Sequence, residues 1–152
     1  MAFRAILATL VIVSSALAEF RHVSMGYSGE ECSSCAASMT KSIQRLRGVS
    51  SVSVDAKKAV IVIELAAGNR VLLSEIRDAV KRVGFTPGEA RVVVLGTIVE
   101  ESGQRVLKPH GFEQPIELRG AVPSAAAEVK LEGTIPARNL PSRDTLIVKN
   151  SL

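Results

Sequence analysis

The sequence predicts an α+β chain: a strand–helix–strand–strand–helix–strand unit followed by a smaller all-β unit. Three observations predict it. Runs with a period of two and runs with a helical period alternate between Val23 and Leu95. Helical periodicity stops after Leu95. Beyond it, three β-like segments each place a glycine between apolar residues. The first unit has the split βαβ, ferredoxin-like order, which gives one four-stranded antiparallel sheet with two helices on one face.

Residues 1–18 read as a secretory signal. Arg4 is the positive start, Ala5 to Val13 is apolar apart from one threonine, and Ala16-Leu17-Ala18 ends in a small-x-small site. Cleavage is expected after Ala18. The apolar run is short for a membrane span. No later stretch is long and uncharged enough to span, so the trimmed chain is read as soluble, and as periplasmic or secreted.

Removing that segment takes away Arg4 and no acid. The count of 19 basic and 15 acidic side chains becomes 18 and 15, a balance of +3. This mild charge, with aromatics at 3%, argues against a nucleic-acid binder. Hydrophobic content of 47% supports a packed core.

Each element of the first unit, residues 19–95, has a local reason. Val23, Met25 and Tyr27 alternate, as one face of a strand does. Ala36, Met39, Ile43 and Leu46 recur at helical spacing, and Gly48 is a helix stop. Val49, Val52 and Val54 alternate with serines. Asp55-Ala56-Lys57-Lys58 is a turn, and the β-branched run Ala59 to Leu65 is the returning strand. Gly68-Asn69 breaks that strand. Leu72, Leu73, Ile76, Ala79, Val80 and Val83 make a second helix, which Gly84 stops. Glu89 to Leu95 is a further strand.

Cys32 and Cys35 are the only cysteines. They fall between the first strand and the first helix. Two thiols at this spacing can close on one soft metal ion or on each other. Backbone N–H groups and the helix dipole at that junction favour the thiolate, the form that binds metal. An exported compartment is oxidising and favours the disulfide. A thioredoxin-like motif also puts CxxC at a helix start, but that fold has a different strand order.

Residues 21–95 resemble a heavy-metal-associated domain, the module of copper chaperones, metal-ATPase amino-terminal repeats and periplasmic mercury-binding proteins. The matching residues are Gly29, Cys32 and Cys35, then Gly48-Val49, Val52 and Val54, then Ala79-Val80 and Gly84-Phe85. The resemblance implies that Cys32 and Cys35 are the metal ligands. It implies Cu(I) first, with Hg(II) or Zn(II) as other thiophilic ions. It also implies a metal-transporting or metal-accepting protein as partner, and no enzyme activity. No nucleophile–base pair or phosphate loop appears in the sequence. Two alternatives stay open: a redox-active disulfide, and a degenerate domain kept for protein contacts.

One departure concerns the loop. Where the family has a methionine, this chain has Glu30, followed by Glu31. Two carboxylates beside two thiols oppose thiolate formation, and the loop loses a packing residue. Neither glutamate is assigned as a ligand, because carboxylate oxygen suits Cu(I) poorly. His22 and His110 are read as solvent-facing, and Met25 and Met39 as core. Phe85 aligns with the family residue near the metal loop. Lys41, Arg45, Lys81 and Arg82 are read as solvated helix faces.

In residues 96–152 the glycine-centred runs are Val94 to Ile98, Leu118 to Val122 and Leu131 to Ile135. Further strands are expected near Arg105 to Leu107 and at Thr145 to Lys149. About five short strands with internal glycines predict a small, partly open barrel such as the OB-fold. The strand at Arg91 to Ile98 is expected to run from one unit into the other. Seven basic and seven acidic residues give this part no basic stripe. Thr97, Arg105, Lys108, Arg119, Lys130 and Thr134 are therefore read as outer strand faces. Its expected role is to extend the first unit or dock a partner.

Overall fold

The computed structural model describes residues 19–30, 32, 34–108, 115–124, 128–137 and 144–152. The expected signal segment, His110 and Glu31 lie outside them. The first six elements are β1 (Phe20–Ser28), α1 (Cys35–Gln44), β2 (Val49–Asp55), β3 (Val60–Leu65), α2 (Leu73–Arg82) and β4 (Thr86–Glu101). Their strands pair antiparallel in the order β2-β3-β1-β4. This is the ferredoxin-like arrangement.

The side-chain alternation explains which face is covered. Val23 and Met25 of β1, Ile61 and Ile63 of β3, and Ala90, Val92 and Val94 of β4 are buried. Met39 and Ile43 of α1 and Ile76, Ala79 and Val80 of α2 close over them. Each of the valine, isoleucine and methionine side chains contributes roughly 1.5–3 kcal/mol relative to exposure. The Ser42 hydroxyl donates to Ala79 O at 2.9 Å and ties the two helices together. The opposite face carries His22, whose Nδ1 lies 2.7 Å from Glu64 Oε1.

The β4 strand is longer than the sequence pattern requires. It covers 16 residues, and the expected boundary after Leu95 lies inside it. Its far half pairs with β5 (Gln104–Lys108), while residues 90–96 pair on their other edge with β7 (Val129–Ile135). The remaining strands are β6 (Ile116–Gly120) and β8 (Thr145–Ser151). The β5–β6 pairing, the parallel β6–β8 pairing and the β7–β8 pairing complete a ring, β4-β5-β6-β8-β7 and back to β4. The eight strands among the described residues thus belong to one sheet.

Gly133 sits where β7 shifts register against β8. A Cβ there would run into Ile147 O, so only glycine lets the two backbones approach. Ile98, Leu107, Leu118, Leu131 and Leu146 fill the ring, and they are continuous with the core under the helices. The outer faces are solvated as read from the sequence. Lys108 pairs with Glu101 at 2.6 Å, and Arg105, Arg119 and Lys130 are exposed.

Two buried polar residues join segments that the sequence treats as loop and helix face. Asn69 Nδ2 donates to Phe20 O and Ala66 O, both at 2.8 Å, and its Oδ1 accepts from Val71 N. Arg77 lies among the polar residues of α2 in sequence, yet it is only 8% exposed. Its guanidinium donates to Pro136 O at 2.8 Å and meets Asp144 Oδ1 at 3.4 Å. The second helix is thereby fixed to the chain just after β7 and just before β8.

Candidate metal site

The sequence places the cysteines between strand and helix because Gly29 ends the strand pattern and Ala36, Met39 and Ile43 begin the helical one. The structure sets them there. Cys35 is the first residue of α1, and Cys32 lies on the loop before it. The Cys35 N–H donates to Cys32 O at 3.0 Å, and the Ser38 N–H to Ser34 O at 3.0 Å. The loop is therefore a tight turn feeding directly into the helix. The two Cα atoms are 5.1 Å apart and the sulfurs are joined as a disulfide. Cys32 is exposed and Cys35 is half-buried.

A cavity of about 50 Å³ lies beside the pair, lined by Tyr27, Cys32, Cys35, Ala36, Ala56 and Phe85. Tyr27 and Phe85 meet edge to face, with ring centroids 5.3 Å apart and planes at 85°. Phe85 is buried at the start of the segment after α2, and its N–H donates to Val80 O at 3.3 Å. Ala56 comes from the β2–β3 turn. Three separate segments thus wall the cysteine loop. Phe85 was legible from its place after Gly84. Tyr27 and Ala56 were not, since alternation assigns Tyr27 only to a strand face. The one signal was that Tyr27 is the sole tyrosine and stands two residues before Gly29.

The other residues singled out in the sequence stay apart from the pair. Glu30 is exposed. His22 is engaged with Glu64 on the helix-free face. Met25 and Met39 are fully buried core residues. Lys41, Arg45, Lys81 and Arg82 are exposed, and Lys81 lies 3.7 Å from Asp78. Among the described residues no cluster of three or more His, Cys, Asp or Glu side chains forms. Reduction of the disulfide would free two sulfurs as donors. Such a set suits an ion content with few soft ligands, such as Cu(I). It leaves a structural Zn(II) site short of its usual four ligands.

The described residues thus combine a ferredoxin-like fold with a CxxC turn at the β1–α1 junction. Residues 28–86 match the model of the heavy-metal-associated domain. No curated protein matches the chain. Three solved structures are similar to part of this chain. The amino-terminal domain of PacS from Synechocystis PCC6803 is 26% identical, with 47% of this chain and 96% of that one covered and a TM-score of 0.39. A CopZ metallochaperone is 18% identical, with 43% and 97% covered and a TM-score of 0.41. The amino-terminal domain of a potential copper-translocating P-type ATPase from Bacillus subtilis, in its Cu(I)-loaded state, is 19% identical, with 45% and 85% covered and a TM-score of 0.41. Among the described residues no helix is long and apolar enough to cross a membrane.

Proposed function

We propose that this protein is an exported carrier that binds one thiophilic ion, Cu(I) first, through Cys32 and Cys35 and passes it to a protein acceptor. The observation that carries this reading is the CxxC turn at the open end of the matched domain, with one sulfur exposed and the other at a helix start. The disulfide must first be reduced by an external dithiol, which supplies two electrons and two protons, is itself oxidised to a disulfide, and leaves two thiols here. Binding then displaces both thiol protons, leaving two thiolates on the ion. Because Cys32 faces solvent, an incoming thiolate can approach the ion over that side while Cys35 stays with the helix. The role is carriage, with no bond made or broken in a substrate.

Competition of the reduced protein against a thiol-free Cu(I) chelator should give one tight site per chain. Cys32→Ser and Cys35→Ser should each remove that site, because a single soft ligand remains. Equal Cu(I) binding by the protein and its double serine variant would refute the reading.

The disulfide supports a second reading, a thiol–disulfide redox pair. Its test is exchange with a dithiol reductant in the absence of metal. Turnover of a disulfide substrate at a catalytic rate would favour it over carriage.

Export is supported by Arg4, the apolar run and Ala16-Leu17-Ala18. Amino-terminal sequencing of protein from an exporting host should read Glu19 first, and Met1 on that protein would count against export. We read the ring after β4 as an OB-like barrel. Its support is the order β4-β5-β6-β8-β7 with one parallel pair, β6–β8.

A further inference from the structure

Away from the cysteines, three arginines collect at one corner of the sheet. Arg45 stands at the carboxy-terminal end of α1, Arg47 follows it, and Arg70 lies between β3 and α2. The two segments touch. The Ala66 N–H donates to Gly48 O at 2.8 Å, and a Cβ on Gly48 would come within 2.6 Å of Asn69 Cβ. Arg47 precedes that glycine and Arg70 follows that asparagine. All three arginines are exposed, and among the described residues none is in an ion pair. Acidic side chains of the adjoining elements are engaged elsewhere: Glu19 with Arg21 at 2.9 Å, Glu64 with His22 at 2.7 Å, and Glu75 with the Leu72 N–H at 2.8 Å. Leu72 itself follows Arg70 on the same segment and is 39% exposed.

The place of this corner in the fold points to its partner. β2 is the end strand of the sheet, with β3 between it and β1, so no strand of the ring pairs there. Asn69 Nδ2 donates to Phe20 O at 2.8 Å, so the chain enters the fold beside Arg70. Residues 1–18, with the apolar run Ala5 to Val13, come immediately before that point. On the export reading that run enters a bilayer, and the chain meets the bilayer surface at this corner. The cysteine turn lies at the far end of α1, whose ten residues put it about 15 Å from Arg45.

We propose that Arg45, Arg47, Arg70 and Leu72 form a docking surface for an anionic phospholipid membrane, with the cysteine turn left on the aqueous side. This rests on the export reading above. A guanidinium stays charged and donates two parallel hydrogen bonds to a phosphate. Each basic group near an anionic lipid surface strengthens attachment roughly fivefold. Three of them with one apolar side chain give a reversible, salt-sensitive attachment, so the trimmed protein gathers at the membrane without being anchored in it.

The test uses the protein recovered from an exporting host, with its amino terminus first read by mass spectrometry. Co-sedimentation is measured with vesicles of phosphatidylcholine alone and of phosphatidylcholine mixed with phosphatidylglycerol. The protein should bind only the mixed vesicles, and less as salt rises. Inorganic phosphate should compete no better than chloride at equal ionic strength, which separates a lipid surface from a site for the free anion. Arg45→Gln, Arg47→Gln and Arg70→Gln together should weaken binding roughly a hundredfold, and Leu72→Ala should weaken it a few-fold. A second triple variant, Lys57→Gln, Lys81→Gln and Arg82→Gln, removes the same charge from exposed positions on the β2–β3 turn and the end of α2, near the cysteines. It should bind as the unaltered protein does. Circular dichroism checks that each variant is folded. Equal weakening by the two triple variants would reduce the effect to net charge and overturn the docking surface. Equal binding to both kinds of vesicle, binding to neither, or arginine-dependent binding to duplex DNA in place of the mixed vesicles would overturn it as well, and with Glu19 at the amino terminus the export reading would still stand. Met1 at the amino terminus would overturn the export reading and this surface with it.

Discussion

Around the cysteines, support comes from shape: a tight turn, two rings in edge contact, and a glycine against a phenyl face. Where α2 meets the chain on either side of β8's entry, support comes from a buried guanidinium. Arg77 reaches Pro136 O and Asp144, and the Asp144 carbonyl in turn accepts from Glu117 N at 2.9 Å. Apolar contacts are non-directional and let a loop adjust. A buried charge-assisted hydrogen bond fixes one geometry and is costly to break. On the carrier reading proposed above, the difference suits a loop that accepts and releases an ion beside a firmly held body.

The comparison breaks first if the two units do not share one core. Leu131 of β7 is fully buried and belongs to the same cluster as Met39 of α1. Leu131→Ala should cost about 3 kcal/mol. In urea, probes in both units should lose structure in one transition. Separate midpoints for the helices and for the strands after β4 would show that the shared strand β4 does not couple them.

A smaller effect is expected at the Arg77 contact. Arg77→Met keeps the bulk of the stem and removes the donors to Pro136 O and Asp144. The loss should be about 2 kcal/mol, measured by the same urea unfolding, with Cu(I) affinity unchanged. A large fall in Cu(I) affinity without loss of stability would show that the two regions are not independent in the sense drawn here.

The smallest effect belongs to Glu30. It is exposed, so Glu30→Met should change stability by no more than about 0.5 kcal/mol. Removing a carboxylate beside the thiols should tighten Cu(I) binding a few-fold at low salt, and the gain should shrink as salt rises. Chelator competition at two ionic strengths reads both. Weaker binding in Glu30→Met would mean that the carboxylate gathers cations for the site.

The ferredoxin-like unit is legible in the sequence because its elements are local and its residues keep period. Val23, Met25, Ile43, Ile76 and Val80 all point where alternation or helical spacing puts them. The cysteine turn is legible for the same reason, since two cysteines and the helix start lie within one short stretch. The short strands around Gly96, Gly120 and Gly133 are also legible one by one. Their joining is not, because the pairing of Ala90 with Ile135 links residues far apart in the chain and nothing in either run encodes its partner. Arg77 and Asn69 escape notice because a polar residue at a surface spacing gives no sign that another segment will cover it. Tyr27 escapes because alternation assigns it a strand face but gives no sign that Phe85, far along the chain, meets its ring beside the cysteines.

The central claim is that the same two sulfurs either bond to each other or share one Cu(I). The most direct test is native mass spectrometry of the full chain after exposure to Cu(I), once with the disulfide intact and once after reduction and removal of the reductant. The account predicts no bound copper on the disulfide form, and one copper per chain with no thiol left free to alkylation on the reduced form. Equal copper uptake by both forms, or a reduced form that stays metal-free, would contradict it.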